Sequence, residues 1–182
     1  AGNTALGSKT LQTNTTGANN TAIGSSALTA NTTGAGNIAI GSVALEANTT
    51  GAGNISIGAN SQQDTTTGGF NVAIGSYSMY VNTTGYDNTA MGQESLRRNT
   101  TGHTNVAIGH DSLAQNTTGT GNAGFGSGAL QGTTTGASNI GLGYLAGDNI
   151  TTGTGNIVIG AGIDAASATA DAQLNIGGWI TG

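Results

Sequence analysis

The chain has 182 residues, among them 34 Gly, no Pro and no Cys, with only 6% charged residues and a formal net charge of −5. Lys9, Arg97 and Arg98 are its only Lys or Arg, too few to displace the counterions of a nucleic acid, so no nucleic-acid partner is expected. No disulfide or thiolate–metal site is possible without Cys, and no apolar run approaches the length of a membrane span, so no membrane insertion is expected.

High Gly and low charge suggest disorder, but Ile, Leu, Val and Ala recur here on a strict period, which a disordered tract lacks. Counting from Ala1, the chain divides every seventeen residues into ten units without an insertion, the tenth starting at Thr154. Position 3 is Asn in every unit from Asn3 to Asn156, position 7 is Gly from Gly7 to Gly160, and Thr-Thr-Gly closes nine units. A period that never slips makes each unit one turn of a stack.

Taken in order along a unit, Asn at position 3 opens a turn or a ladder. A strand is expected at positions 4–6, where large residues flank a small one, as in Ile38-Ala39-Ile40. Gly at position 7 turns the chain. A second short strand is expected to end near the Leu of position 11, followed by Asn at 14 and the Thr-Thr-Gly turn. Asn37, Ile40, Gly41, Leu45 and Gly51 represent these structural positions in one unit. The fold expected is all-β, a parallel β-solenoid of ten 17-residue coils, roughly 48 Å long at about 4.8 Å per coil.

Position 6, running from Leu6 through Ile40, Ile74 and Phe125 to Ile159, is expected to be the interior column. The small residues of position 5, such as Ala39 and Ala73, are expected to face away from the coil's own core and to let another backbone approach. A thin coil of this kind buries too little apolar surface to stand alone, which points to a homotrimer joined through the Ala face. Residues 1–164 then form the repeat domain and 165–182 an atypical C-terminal cap or junction.

Most charges fall at variable turn positions. Units five to seven are richer in chemistry, with Phe70, Tyr77, Tyr80, Tyr86, Asp87, Glu94, Arg97, Arg98, His103, His110 and Asp111. Stacking places Tyr77, Glu94 and Asp111 in column 9, and Tyr80 with Arg97 in column 12. Aromatic faces beside carboxylates and Arg suit a polar surface ligand, so Tyr77, Tyr80, Tyr86, Glu94, Arg97, Arg98, His103, His110 and Asp111 are the candidate receptor contacts. Surface drift at tolerant positions is the bland alternative. Glu94 and Asp111, one coil apart at about 5 Å, have the spacing of a glycoside-cleaving pair, although exposed like charges in neighbouring turns are the commoner case. His103 and His110 follow no H-x-H pattern, so neither a metal nor a cofactor is expected. The stacked Thr pairs suggest an ice-binding face, although neighbouring residues of a strand point to opposite sides and only one Thr column can face out.

The string N-x-A-I-G, as in Asn37–Gly41 and Asn71–Gly75, resembles the head repeats of trimeric autotransporter adhesins, although the usual unit of those heads is shorter. The fuller unit with N-T-T-G looks like repeats of phage tail fibres and tail spikes. The stretch Ala172–Gly182, "AQLNIGGWITG", resembles the segment that precedes the self-cleaving chaperone domain of such fibres. The resemblance implies a trimer of parallel solenoids, a mature end near Gly182 and a place on a virion or a bacterial cell surface. It also implies a host cell-surface glycan or protein receptor. The expected function is a structural or adhesive fibre segment and not an enzyme, with a regular-surface binder or a glycan-cleaving spike as alternatives. The complete first unit would leave an open strand edge, so the sequence is expected to be a fragment.

Overall fold

A computed structural model describes residues 2–177 and 180–181. Eleven three-residue strands, from β1 (Thr4–Leu6) to β11 (Leu174–Ile176), pair in parallel in chain order. The register repeats at seventeen residues, as where Ile38, Ala39 and Ile40 face Ile55, Ser56 and Ile57. The architecture is an all-β parallel solenoid of about ten coils, and no helix occurs among the described residues. Stacking continues past residue 164: Leu174–Ile176 lies in register with Ile157–Ile159, and β12 (Ile180–Thr181) then pairs antiparallel with β11. The proposed mature end, Gly182, lies outside the described residues.

The second strand expected near position 11 does not form. Positions 8–13 of coils one to nine make a chain of turns in which positions 9 and 11 are left-handed, as at Val43 (φ 65°) and Leu45 (φ 51°). Left-handed residues next to right-handed ones swing successive peptide groups towards the neighbouring coils. Leu45 N–H donates to the Ser61 carbonyl at 3.1 Å and Ala47 N–H to the Gln63 carbonyl at 3.0 Å, while Val43 N–H donates backwards to Ser25 at 2.8 Å. The backbone is therefore paired between coils without strand geometry, which removes the penalty of burying free amides.

The interior is the reverse of the one expected. The small position-5 residues Ala22, Ala39, Ala73, Ala90 and Ala107 are fully buried within their own chain, together with the Leu of position 11 at Leu28, Leu45, Leu96, Leu113 and Leu130. Ile40 and the rest of column 6 point outward, and so does column 4. The reason is thickness. The turns of residues 8–13 fold back so close to the strand that only Ala, Ser or Gly fits beneath it, and the one large buried side chain per coil enters from position 11. Gly124 and Gly141 fit the same limit, since a Cβ on Gly141 would come within 2.8 Å of the Leu130 side chain. Val158 fits at position 5 because the neighbouring coil supplies Gly147 at position 11.

Two buried Asn columns close and join the coils. Asn37 Nδ2 donates to the Gly51 carbonyl of its own coil at 2.9 Å, and Asn37 Oδ1 accepts the N–H of Asn54 in the next coil at 2.9 Å. Asn48, in column 14, donates both to that Gly51 carbonyl at 3.1 Å and to Asn31 Oδ1 of the preceding coil at 2.9 Å. Gly51 has no room for a side chain, because a Cβ would meet the Gly68 carbonyl oxygen and Asn48 Oδ1. The column-14 ladder breaks where Thr65 and Thr133 replace Asn, leaving Asn48 Oδ1 and Asn116 Oδ1 buried without a hydrogen bond. The same coil carries Ser56, Ser61 and Gln62 inside, with Gln62 Nε2 bonded to the Ile55 carbonyl at 2.9 Å. It divides the apolar core into one cluster in coils two and three and another from coil five onward.

Two stability outcomes follow from this interior. Ala73→Leu is expected to destabilise the coil itself by about 1–3 kcal/mol through overpacking. That loss is measured by denaturant unfolding and does not depend on protein concentration. Thr65→Asn restores a partner for Asn48 Oδ1 and is expected to raise stability by about 1 kcal/mol. A lowered melting temperature for Thr65→Asn would contradict this account of the ladder.

Candidate functional site

The solenoid offers three surfaces, set by which positions the thin interior cannot accept. The first is the strand face. Columns 4 and 6 present Ile, Val, Leu, Thr, Met, Ala and Phe along all eleven parallel strands and not one charged residue. Phe125 is 38% exposed and Leu142 47%, with Ile38, Met91, Ile108 and Ile140 in the same range. Isolated exposed apolar residues need no explanation, but a continuous stripe of them does.

The second surface is the edge beyond the C-terminal end of the strands. The Tyr77 and Tyr80 rings meet there at 5.5 Å, and Arg97 Nη1 bonds Glu94 Oε2 at 2.9 Å in the next coil. His110 and Asp111 lie 3.3 Å apart one coil further on, and Arg98 is exposed at position 13. The third surface is the opposite edge, before the strands begin. Tyr86 and His103 stack there at 4.6 Å and 12°, with Phe70 and Asp87 in the adjacent column of the same turn. The sequence groups these residues together by coil number. The structure separates them into two edges with the strand between.

Phe70, Tyr77, Asp87, Glu94 and Asp111 all occupy left-handed turns, with φ between 54° and 59°. That conformation costs a residue bearing a Cβ roughly 1–2 kcal/mol; at position 2, the place of Phe70 and Asp87, some coils use Gly, as at Gly36, Gly53, Gly121 and Gly155, and others Asn19, Thr104 or Ser138. The Phe70 ring gains little burial in return, being 68% exposed. Sequence reading found these residues by their rarity on a Gly, Ser and Thr surface, but one sequence column does not reveal which edge it lies on.

Glu94 and Asp111 each face their own basic partner, Arg97 and His110. Among the described residues there is no group of three or more His, Asp or Glu able to hold a metal ion, and no helix is long and apolar enough to cross a membrane. In the Thr-Thr pairs the first hydroxyl is used between coils, as Thr49 Oγ1 donates to the Thr66 carbonyl at 3.1 Å, whereas the second column, from Thr16 to Thr152, is exposed.

A carboxyl pair that the sequence reading did not single out lies near the C-terminal end. Burial raises the Asp148 carboxyl above its usual 3.8, and the hydrogen bond and charge of Asp164 raise it further. A raised acid means that the fold binds its proton more tightly than the unfolded chain does. This contribution is therefore fully present below pH 3.8 and is lost as pH rises through the folded-state value. Asp148→Asn is expected to stabilise the protein at pH 7 and to leave its stability unchanged near pH 3, as read by thermal melts at the two pH values.

Compared with known proteins, the chain matches no family model, no curated protein and no solved structure, so its function is read from its own geometry.

Proposed function

We propose that this chain is a structural and adhesive fibre segment, three copies of which associate side by side through their strand faces. The observation that carries this reading is the uncharged stripe of columns 4 and 6. Eleven strands at about 4.8 Å, with side chains covering about 10 Å of width, give roughly 500 Å² of apolar surface per chain. This lies near the top of what a monomer ordinarily exposes. Three such stripes converging on one axis bury roughly 1,500 Å² in all, about 500 Å² at each of three contacts, so the trimer is held by the three together and not by any one pair. A stripe two columns wide suits three-fold closure, because each chain then shows one column to each neighbour.

The occupant with a matching rise in every layer is another copy of the same chain. Side-chain sizes support this layered packing, since the largest residue of column 6, Phe125, shares its coil with the smallest of column 4, Ala123. The contact face of this reading is therefore the Ile face and not the buried Ala column. The resemblance to tail-fibre and adhesin repeats extends it to a virion tail fibre or a bacterial surface, where the aromatic and charged edges of coils five to seven would meet a host glycan or protein. A second reading, binding to ice or another regular surface, draws on the exposed Thr16–Thr152 column.

Sedimentation tests the assembly. The expected mass is three times the 17.5 kDa chain. Ile57→Asp with Ile74→Asp is expected to give monomers, whereas Thr50→Asp with Thr67→Asp on the exposed Thr column is expected to leave the trimer intact. A monomeric parent chain that also shows thermal hysteresis would favour the second reading. The adhesive half is tested with Tyr77→Ala, Tyr80→Ala and Arg97→Ala together. These changes are expected to reduce host-cell binding with the rod intact, whereas Ser26→Ala with Thr29→Ala has no effect.

A further inference from the structure

The edge that carries Phe70, Tyr86 and His103 contains a gap. Column 1 holds side chains in the coils on either side, but in coil five it holds Gly69. The Phe70 ring leans away from that Gly over Gly53 of coil four, where a Cβ would lie 2.8 Å from Phe70 Cδ1. Tyr86 stands in coil six with one face against His103, their 4.6 Å spacing close to the rise between coils, so its other face is turned to the Gly69 side. Two rings without mutual contact thus flank a backbone floor, about 9–10 Å apart by two coil rises. An occupant midway is about 5 Å from each ring, within the reach of a cation–π contact.

The charges around this gap are of one sign. Asp87 follows Tyr86, is exposed, and has neither an ion pair nor a side-chain hydrogen bond among the described residues. Arg97 and Arg98 belong to the opposite edge and Lys9 to the first coil, so His103 behind Tyr86 is the one basic side chain on this turn column. Columns 1 and 2 of coils four to seven carry no Lys, Arg, Asn or Gln side chain, so the donors here are hydroxyls, as on Tyr86, Thr84 and Thr104, and the His103 ring. Aromatic faces with a free carboxylate are the recognition set of an organic cation.

We propose that Phe70, Tyr86 and Asp87 form an open seat for a quaternary-ammonium group, the head of a choline-type ligand. The seat gives a role to Phe70, the one aromatic residue in a left-handed column otherwise made of Gly, Asn, Asp, Thr, Ser and Ala. It does not depend on the fibre reading, since all three residues belong to one chain.

Calorimetric titration of the full chain with choline chloride tests it, with 3,3-dimethylbutan-1-ol as the uncharged isostere and methyl glucoside as the sugar. Choline is expected to saturate with a Kd on the order of 1 mM, at least tenfold tighter than either comparator. Phe70→Gly with Tyr86→Ala installs residues that the same columns carry in coil four, Gly53 and Ala52, so the solenoid remains folded while choline binding falls at least tenfold. Asp87→Asn, which follows Asn19 in that column, is expected to weaken binding severalfold. Phosphocholine binding without capture by phosphatidylcholine vesicles supports a soluble or polymer-linked source of the head group, and capture by the vesicles supports a lipid source. Equal affinity for the isostere, tighter binding of the glucoside, or unchanged choline binding in the folded double variant overturns the proposal.

Discussion

The double use of one amide side chain holds this structure together. From Asn3 to Asn139, each position-3 Asn donates to the Gly that ends its own coil and accepts the backbone N–H of the Asn in the coil above, so the same group closes a ring and spaces the stack. Both partners are buried, and an unmet partner there would cost about 1–3 kcal/mol. No shorter side chain spans the coil, and no apolar one can offer a donor and an acceptor at once. The Gly at position 17 follows from this bond, because its carbonyl takes amide donors from both Asn columns while the next coil presses on its α-carbon. The strict period of the sequence is the imprint of that arrangement repeated.

The solenoid, its period and the strand at positions 4–6 were legible because they rest on spacing. The direction of the strand's side chains was not. Alternation in Ile38-Ala39-Ile40 shows that one face differs from the other, and size alone suggests that Ile should be inside. What decides the matter is how closely the opposite wall approaches, and that depends on left-handed turns at Val43 and Leu45, residues whose side chains disfavour such a conformation. Burial of Leu45 overrides its local preference. A pattern read one residue at a time cannot register such a trade. The edges were hidden for a similar reason, since coil number fixes height along the rod but not the side of the coil, so Tyr80 and Tyr86 looked like neighbours.

With its large aliphatic residues outside and Ala within, the coil inverts the usual distribution of size between core and surface. A chain of this design leaves much of its apolar surface unburied after folding, and the proposed burial of the strand face by further copies would supply what the thin interior lacks. Variation is then confined to the two edges, where side chains neither enter the interior nor join the stripe. Coils five to seven place Tyr, His, Arg and carboxylates there without disturbing either packing layer.

The polar coil built from Ser56, Ser61, Gln62 and Thr65 has a consequence for how the rod comes apart. In a linear stack each repeat is held only by its neighbours, so resistance to opening is set interface by interface. Directional hydrogen bonds here replace the Ala–Leu contacts that run through the coils on either side, and the two apolar clusters do not touch across them. An opening that begins at the N-terminal end therefore meets a boundary at this coil. The coils before it can exchange their amide hydrogens as one unit while those beyond stay closed. A rod pulled along its axis has a preferred place to yield, and the segment beyond that place includes the aromatic edges.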